Sequence, residues 1–251
     1  MARFFLPHTS VRSNQATLTD SELHHLRNVL RLKEGDRVTL FDDQGQEYEG
    51  VIQCLSPSAA EVSLLHSSPS SSPPFSLILA QGLLKGRKMD LVVEKATELG
   101  VGCILPFVSS FTVASLPSAR QKERIARWQR IALSAAKQCG RKEIPRIEEP
   151  APFTDLLSLV PQDTPKLLLW EKEGQALLKD VARDFPSLSS LLLVVGPEGG
   201  LSAEEVAFAR TQGFLIVSLG RRILRAETAG IVAVALCQFL WGDLGESRGV
   251  F

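Results

Sequence analysis

Two patterns of apolar and polar positions divide the chain. In the first 66 residues, apolar positions fall into strand-length stretches separated by turn residues. Residues 3–6, 37–41, 47–55 and 60–65 predict four strands, and Asp43-Gln44-Gly45-Gln46 predicts the turn joining the second to the third. Thr19 with Glu22 three residues on predicts a capping box opening a helix that runs to about Leu32. Leu23, Leu26, Val29 and Leu30 share one face of that helix. A small barrel with one helix satisfies this pattern. A piece of that size is marginal alone, so it is expected to lean on the remainder.

From residue 75 the pattern changes. Largely apolar runs at 75–80, 103–108, 167–170, 191–195 and 215–219 alternate with helical spacing at 88–99, 118–140, 202–212 and 226–240. Gly100, Gly213 and Gly242 follow three of those helices and predict their C-terminal stops. Apolar strands alternating with helices predict an α/β domain whose parallel sheet is covered on both faces. The serine- and proline-rich stretch 67–74 reads as a linker. The expected organisation is therefore a barrel at 1–66, a linker at 67–74 and an α/β domain at 75–251.

The composition narrows the class. Of 251 residues 44% are hydrophobic and 22% charged, which excludes a disordered, collagen-like or coiled-coil chain. The longest apolar run, 229–241, falls short of the roughly 20 residues a membrane span needs. The first residues are too short an apolar run for a signal peptide. Cys54, Cys103, Cys139 and Cys237 lie far apart without a CxxC pair, which excludes a disulfide scaffold and a zinc ribbon. They read as reduced, buried thiols, and the protein as cytoplasmic. No metal site is expected.

The formal net charge is zero, with 28 basic and 28 acidic residues, but the charge is not evenly spread. Residues 118–142 carry +7 and residues 143–218 carry −6. On the helix 118–140, Arg120, Arg124, Arg127, Arg130 and Lys137, with the trailing Arg141, fall on one broad face. Ile125, Trp128, Ala132, Ala135, Ala136 and Cys139 fall on the other. A one-sign stripe is the footprint expected for nucleic-acid phosphates, although a solvated charged face has the same spacing. Lys85-Gly86-Arg87-Lys88 adds a basic loop after a strand. Its glycine spacing does not match a phosphate-binding NTPase loop. In the first piece His24, Arg27 and Arg31 share a helix face.

Two strand-to-helix turns hold the remaining candidate chemistry. Gly196-Pro197-Glu198-Gly199-Gly200 follows an apolar strand, and Ser202 with Glu205 predicts a capping box directly after it. Ligands of open α/β sheets bind at such strand ends, and glycines let them approach the backbone. A plain tight turn explains the same residues. The second turn, Leu219 to Ala229, places Arg225 and Glu227 at a helix start, where an anion or an internal ion pair fits equally. All four histidines, His8, His24, His25 and His66, lie in the first 66 residues, and no G-x-S-x-G elbow exists. A histidine-based hydrolase centred on the glycine turns is therefore not expected.

Gly196-Pro197-Glu198-Gly199-Gly200-Leu201-Ser202, followed by Leu219-Gly220-x-Arg222-Ile223-Leu224-Arg225-x-Glu227-Thr228-Ala229, closely resembles the 16S rRNA (uracil-1498-N3)-methyltransferase family. That family belongs to the SPOUT superfamily of S-adenosylmethionine-dependent methyltransferases. The stretch from His25 to Asp36, the run Glu94 to Val101, and Gln138-x-Gly140-Arg141 extend the resemblance over essentially the whole chain. It implies a PUA-like RNA-binding barrel followed by a parallel α/β domain with a trefoil knot, in a homodimer. It implies cofactor binding by Leu169 and the segment after it, Gly196, Gly199, Gly200, Leu219, Gly220, Ile223 and Leu224. The substrate implied is a uridine of 16S rRNA in the small ribosomal subunit. The basic residues His25, Arg27, Arg31, Lys85, Arg87, Arg120, Arg124, Arg127, Arg130, Lys137 and Arg141 would hold the RNA.

A sulfonium methyl donor is already activated, so such a site mainly positions its reactants and needs no histidine. Uridine N3 must lose its proton. Arg225 is expected to position the base or stabilise charge on it, and Glu227 or Glu198 to orient it or accept the proton. Three other readings follow from the same residues. They are a SPOUT enzyme for another RNA, a catalytically silent RNA-binding assembly factor, and a nucleotide-dependent enzyme. The missing GxGxxG and Walker patterns speak against the last.

Overall fold

The computed structural model describes residues 1–68, 75–113, 118–173 and 176–245. The chain forms two units, Met1–Ser72 with Leu133–Ile144, and Pro73–Ala132 with Pro145–Phe251.

In the first unit six strands form one sheet: β1 (Ala2–Leu6), β2 (Val11–Arg12), β3 (Gln15–Leu18), β4 (Arg37–Asp42), β5 (Glu47–Leu55) and β6 (Ala60–Ser68). Their order is β1-β4-β5-β6-β3-β2, a curled half-barrel. Only β1–β4 is parallel; the other pairs are antiparallel. Phe4, Leu18, Leu26, Leu40, Ile52 and Val62 fill its concave core. Asp42 closes the β4–β5 turn from inside. It accepts from the Gln44 and Gln46 N–H groups, from Tyr48 Oη and from His8 Nδ1. Ser67 and Ser68, expected in the linker, pair with Tyr48 and Glu47 as the end of β6. The rest of that stretch, 69–74, lies outside the described residues.

The helix of this unit departs from expectation at both ends. It is short, α1 (Asp20–His24), and continues as a π-helical turn over His25–Val29. The capping box is not made: Thr19 Oγ1 donates to the Asp20 carboxylate and caps no backbone N–H. At the far end Leu30 N–H bonds to His25 O and Leu32 N–H to Leu26 O. Arg31 sits between them with φ +55, in the left-handed position that glycine normally takes. This closure stops the helix before Leu32 and takes Arg31 off the helix expected to present it with His24 and Arg27.

The second unit alternates strand and helix: β7 (Ser76–Gly82), α2 (Lys88–Glu98), β8 (Cys103–Val108), α3 (Ser118–Cys139), β9 (Arg146–Ile147), β10 (Ala151–Pro152), β11 (Lys166–Leu169), α4 (Leu178–Asp184), β12 (Ser190–Val195), α5 (Ala203–Thr211), β13 (Leu215–Val217) and α6 (Ala226–Trp241). The sheet order is β10-β8-β7-β12-β11-β13, with β9 beside β8, and every pair is parallel. Residues 191–195 of β12 are all buried, as a central strand covered on both faces requires. On one face α6 packs against α2, β7 and β12. On the other, Val206 and Ala209 of α5 join Phe153, Leu156, Leu168, Leu192 and Val194. The α3 residues up to Ala132 belong to this unit and those from Leu133 to the first. Its apolar face is as expected, with Trp128, Ala132, Ala135 and Ala136 buried. Of the cysteines, Cys103 and Cys237 are buried, but Cys54 is exposed.

Candidate functional site

A cavity of about 610 Å³ opens at the carboxyl ends of β11, β12 and β13, which lie side by side. That volume is in the range of small-molecule sites. Three segments wall it, Leu169 to Glu171, Val195 to Leu201 and Val217 to Ala229, together with Lys88 of α2. The strands end here because each apolar run ends here, and the following turns are forced outward at one edge of a parallel sheet.

The first glycine turn is shaped by close approaches. A side chain at Gly199 would place its Cβ 2.5 Å from the Phe111 carbonyl oxygen. Gly200 has φ +74, and its N–H bonds back to Pro197 O. Ser202 then caps α5, accepting from Glu205 N–H while the Glu205 carboxylate accepts from Ser202 N–H, the expected box. Under this turn lies the end of β7. A Cβ at Gly82 would lie 2.4 Å from Pro197 N. The buried Gln81 side-chain amide donates to the carbonyls of Val195 and Gly196. The parallel register sets Gln81 opposite Val195, which brings these two strand ends together.

The second turn runs from β13 to α6. Ser218 Oγ accepts from Gly220 N–H, and Gly220 has φ +124. Ile223 stands 81% exposed at the rim. Arg225 is the N-cap residue of α6 and is exposed. Glu227, in the first turn of α6, is buried, where the positive end of the helix dipole favours a carboxylate.

Charge is concentrated where the turns meet. Lys88 Nζ lies 3.2 Å from Glu198 Oε1 and 3.5 Å from Glu227 Oε2, so one ammonium spans both carboxylates. Glu198 Oε1 also accepts from Lys85 N–H. Partial burial pushes the Glu198 carboxyl up, but these hydrogen bonds and the Lys88 charge outweigh it and hold it below its ordinary value. Two polar atoms at the cavity are buried without a hydrogen bond, Glu227 Oε2 and Trp170 Nε1. The first of them has only the Lys88 ammonium at 3.5 Å, and the second is a donor with no acceptor.

The cavity thus brings together Arg225, Glu227 and Glu198 with Leu169, Gly196, Gly199, Gly200, Leu219, Gly220, Ile223 and Leu224. Trp170 falls in the segment after Leu169 that the resemblance implied. Sequence reasoning missed Lys88, Gln81 and Gly82. Lys88 shows only as one more basic residue of its loop.

The basic residues are dispersed. In the first unit His25 is half-buried edge-on to the Phe4 ring, Arg27 donates to Ser56 O, and Arg31 is exposed. Lys137 is not a free cation: it pairs with Glu22 at 2.7 Å, both largely buried. The Arg141 carbonyl accepts from Arg3. In the second unit Arg127 pairs with Asp90 of α2. Arg87, Arg124 and Arg130 line one cleft with it, whereas Lys85 is exposed and its N–H bonds to Glu198. The Arg120 side chain lies outside the described residues. The stripe expected from α3 is thus partly neutralised, by acids of other elements.

Comparison with known proteins places this arrangement. The model of a family described as RNA methyltransferase domain matches residues 71–238, and that of the RNA methyltransferase PUA domain matches 18–65. Ribosomal RNA small subunit methyltransferase E of Bacillus subtilis is 32% identical over 95% of this chain and 96% of its own. That of Synechocystis is 34% identical over 87% of this chain and 71% of its own. The crystal structure of the Neisseria gonorrhoeae protein of the same name, bound to S-adenosylmethionine, is 34% identical, with a TM-score of 0.86 over 97% of this chain and 99% of its own. A Legionella pneumophila protein solved with the same cofactor is 30% identical, with a TM-score of 0.85 over 96% of this chain and 98% of its own.

Proposed function

The chain belongs to the ribosomal RNA small subunit methyltransferase E family of RNA methyltransferases, and on that premise we propose that it methylates N3 of the uridine at position 1498 of 16S rRNA. It is an S-adenosylmethionine-dependent rRNA methyltransferase. The observation that carries the finer reading is the gathering of both glycine turns and all three charged candidates around one cavity.

The residues present fit the cofactor. The cavity has the volume of a small-molecule site, and backbone-rich turns line it. Trp170 Nε1 supplies an unused donor, and Glu198 and Glu227 put negative charge beside a cationic sulfonium. Leu169, Gly196, Gly199, Gly200, Leu219, Gly220, Ile223 and Leu224 would hold it. Bound there, the cofactor supplies the electrophilic methyl group.

This chain's own residues then position the base and take its proton. Glu227 Oε2, buried and without a hydrogen bond, is placed to accept the N3 proton as the N3–methyl bond forms. Arg225, exposed at the head of α6, is placed to face the uracil carbonyls, where charge builds as that proton leaves. Lys88, itself paired with Glu198, holds Glu227 in place. The reading also includes a homodimer, with exposed Leu236 and Phe239 of α6 and Leu244 just beyond it as apolar surface for a second copy. Its place of action is the cytoplasm. No helix among the described residues is long and apolar enough to cross a membrane.

The test is incubation with methyl-labelled S-adenosylmethionine and unmodified small ribosomal subunits, followed by nucleoside mass spectrometry of the digested 16S rRNA. One labelled 3-methyluridine is the expected result. Cofactor binding without any labelled uridine overturns the reading in favour of another RNA. Failure to bind the cofactor overturns it in favour of a silent RNA-binding factor.

A further inference from the structure

The loop after β7 and the first turn of α2 line two places. Lys88 enters the cavity of the glycine turns. Gly86, Arg87 and Asp90 instead line a separate open cleft of about 640 Å³. The other wall of that cleft is the stretch of α3 from Glu123 to Arg130. Four arginines line it, Arg87, Arg124, Arg127 and Arg130, against two acids, Asp90 and Glu123.

The four are not equivalent. Arg127 is committed to the protein: its Nε and Nη2 grip both oxygens of Asp90, at 2.6–3.2 Å. This pair ties α3 to α2 and cancels the acid nearest the cleft. Arg130 spends only Nε, on the Ala126 carbonyl at 3.3 Å. Arg87 and Arg124 make no ion pair among the described residues. Trp128 lines the same cleft but is 2% exposed, so it offers no ring face for a base to stack on. Three planar cationic forks without a stacking platform suit backbone phosphates and carry no base readout.

We propose that this cleft, through Arg87, Arg124 and Arg130, holds RNA backbone phosphates flanking the uridine that enters the cavity. The proposal rests on the RNA-methylation reading above. Arg87 and Lys88 are consecutive residues that line the cleft and the cavity respectively, so the two sites adjoin across one peptide unit. Arg127 is a structural strut between the two walls and does not bind phosphate.

The experiment compares wild type with the triple variant Arg87→Gln, Arg124→Gln, Arg130→Gln, and with Arg127→Gln alone. Binding to unmodified 16S rRNA is measured by filter retention from 50 to 300 mM KCl, and methyl transfer is followed against RNA concentration. Removing one phosphate-binding arginine flattens the log–log salt slope by about 0.7–0.9. The triple variant is expected to lose roughly two units of slope. Its KM for RNA should rise about tenfold or more, with its affinity for S-adenosylmethionine unchanged. Arg127→Gln is expected to lower the melting temperature and keep the slope. A triple variant with wild-type slope and KM overturns the proposal. So does an Arg127→Gln slope that falls as far as the triple variant's at an unchanged melting temperature. The salt slope judges the cleft even where wild type transfers no methyl group, an outcome that would sink the function reading alone.

Discussion

Lys88 and Asp42 show how single residues act through the partners the fold brings them. Lys88 is half-exposed, yet its ammonium stands between two carboxylates that come from different turns. Removing it leaves Glu198 and Glu227 as uncompensated like charges and frees both to move. Lys88→Met is expected to slow methyl transfer roughly 100-fold, the scale of losing one charge-stabilising group at an active site. Cofactor affinity should fall much less. Single-turnover transfer at saturating cofactor, set beside calorimetric titration, checks this. Asp42 is a folding residue. Burial pushes its carboxyl up, but hydrogen bonds from His8, Gln46, Gln44 and Tyr48 outweigh that and hold it below its ordinary value. Burial, then the Asp42 carboxylate, pushes the Tyr48 hydroxyl up to about 12. A folded value below the unfolded one means stability that is complete above about pH 4 and lost as pH falls through the folded value. Asp42→Ala is expected to cost about 2–3 kcal/mol at pH 7, from hydrogen bonds to a charged acceptor. Urea unfolding at pH 7 and pH 3 should show the gap to wild type shrinking at the lower pH.

At the scale of elements, the two capping boxes read from sequence had opposite outcomes. Ser202–Glu205 forms in full, and Ser202→Ala is expected to cost about 1 kcal/mol in thermal or urea unfolding. Thr19–Glu22 does not form: the Thr19 hydroxyl is turned to donate to the Asp20 carboxylate, and Asp20 adopts φ +50. The motif states what a helix start can do, and a bond to the neighbouring residue can orient the capping hydroxyl elsewhere. The strands of the second unit were legible because a buried parallel strand must be a continuous apolar run. The demand on Gly82 was not legible, because it comes from Pro197, far along the chain. Gly82→Ala drives a Cβ into backbone that cannot yield without moving the glycine turn. It is expected to destabilise by about 1–3 kcal/mol and to weaken cofactor binding. Melting temperature and cofactor calorimetry, measured together, check both effects.

For the whole molecule, the neutral total conceals how charge is used. The basic segment 118–142 does not keep all its charge for a partner, since Arg127 pairs with Asp90 and Lys137 with Glu22. The first unit takes Leu133–Ile144 from late in the chain, and with it Lys137, which pairs with Glu22 and lies over the Phe4 ring at 5.7 Å. A fragment ending at Ser72 therefore lacks part of its own unit. At that size the missing packing is decisive. The 1–72 fragment is expected to show no cooperative thermal transition by circular dichroism. A sharp transition at the full-length melting temperature would contradict this.

The sequence by itself determined what local forces control. Strand and helix alternation, the glycine stops at Gly100 and Gly213, the Ser202 cap and the two glycine turns are set within a few residues, by backbone freedom and burial period. It also pointed to the residues that line the cavity, because strand ends in a parallel sheet lie at one edge. Tertiary structure alone decided which charges meet. Lys88 and Glu198 are 110 residues apart, Lys137 and Glu22 are 115 apart, and Arg127 finds its acid 37 residues away. No periodicity encodes those pairs. They follow from sheet register and helix packing, and these turned part of an expected RNA-binding stripe into internal ion pairs and placed Lys88 between the two carboxylates.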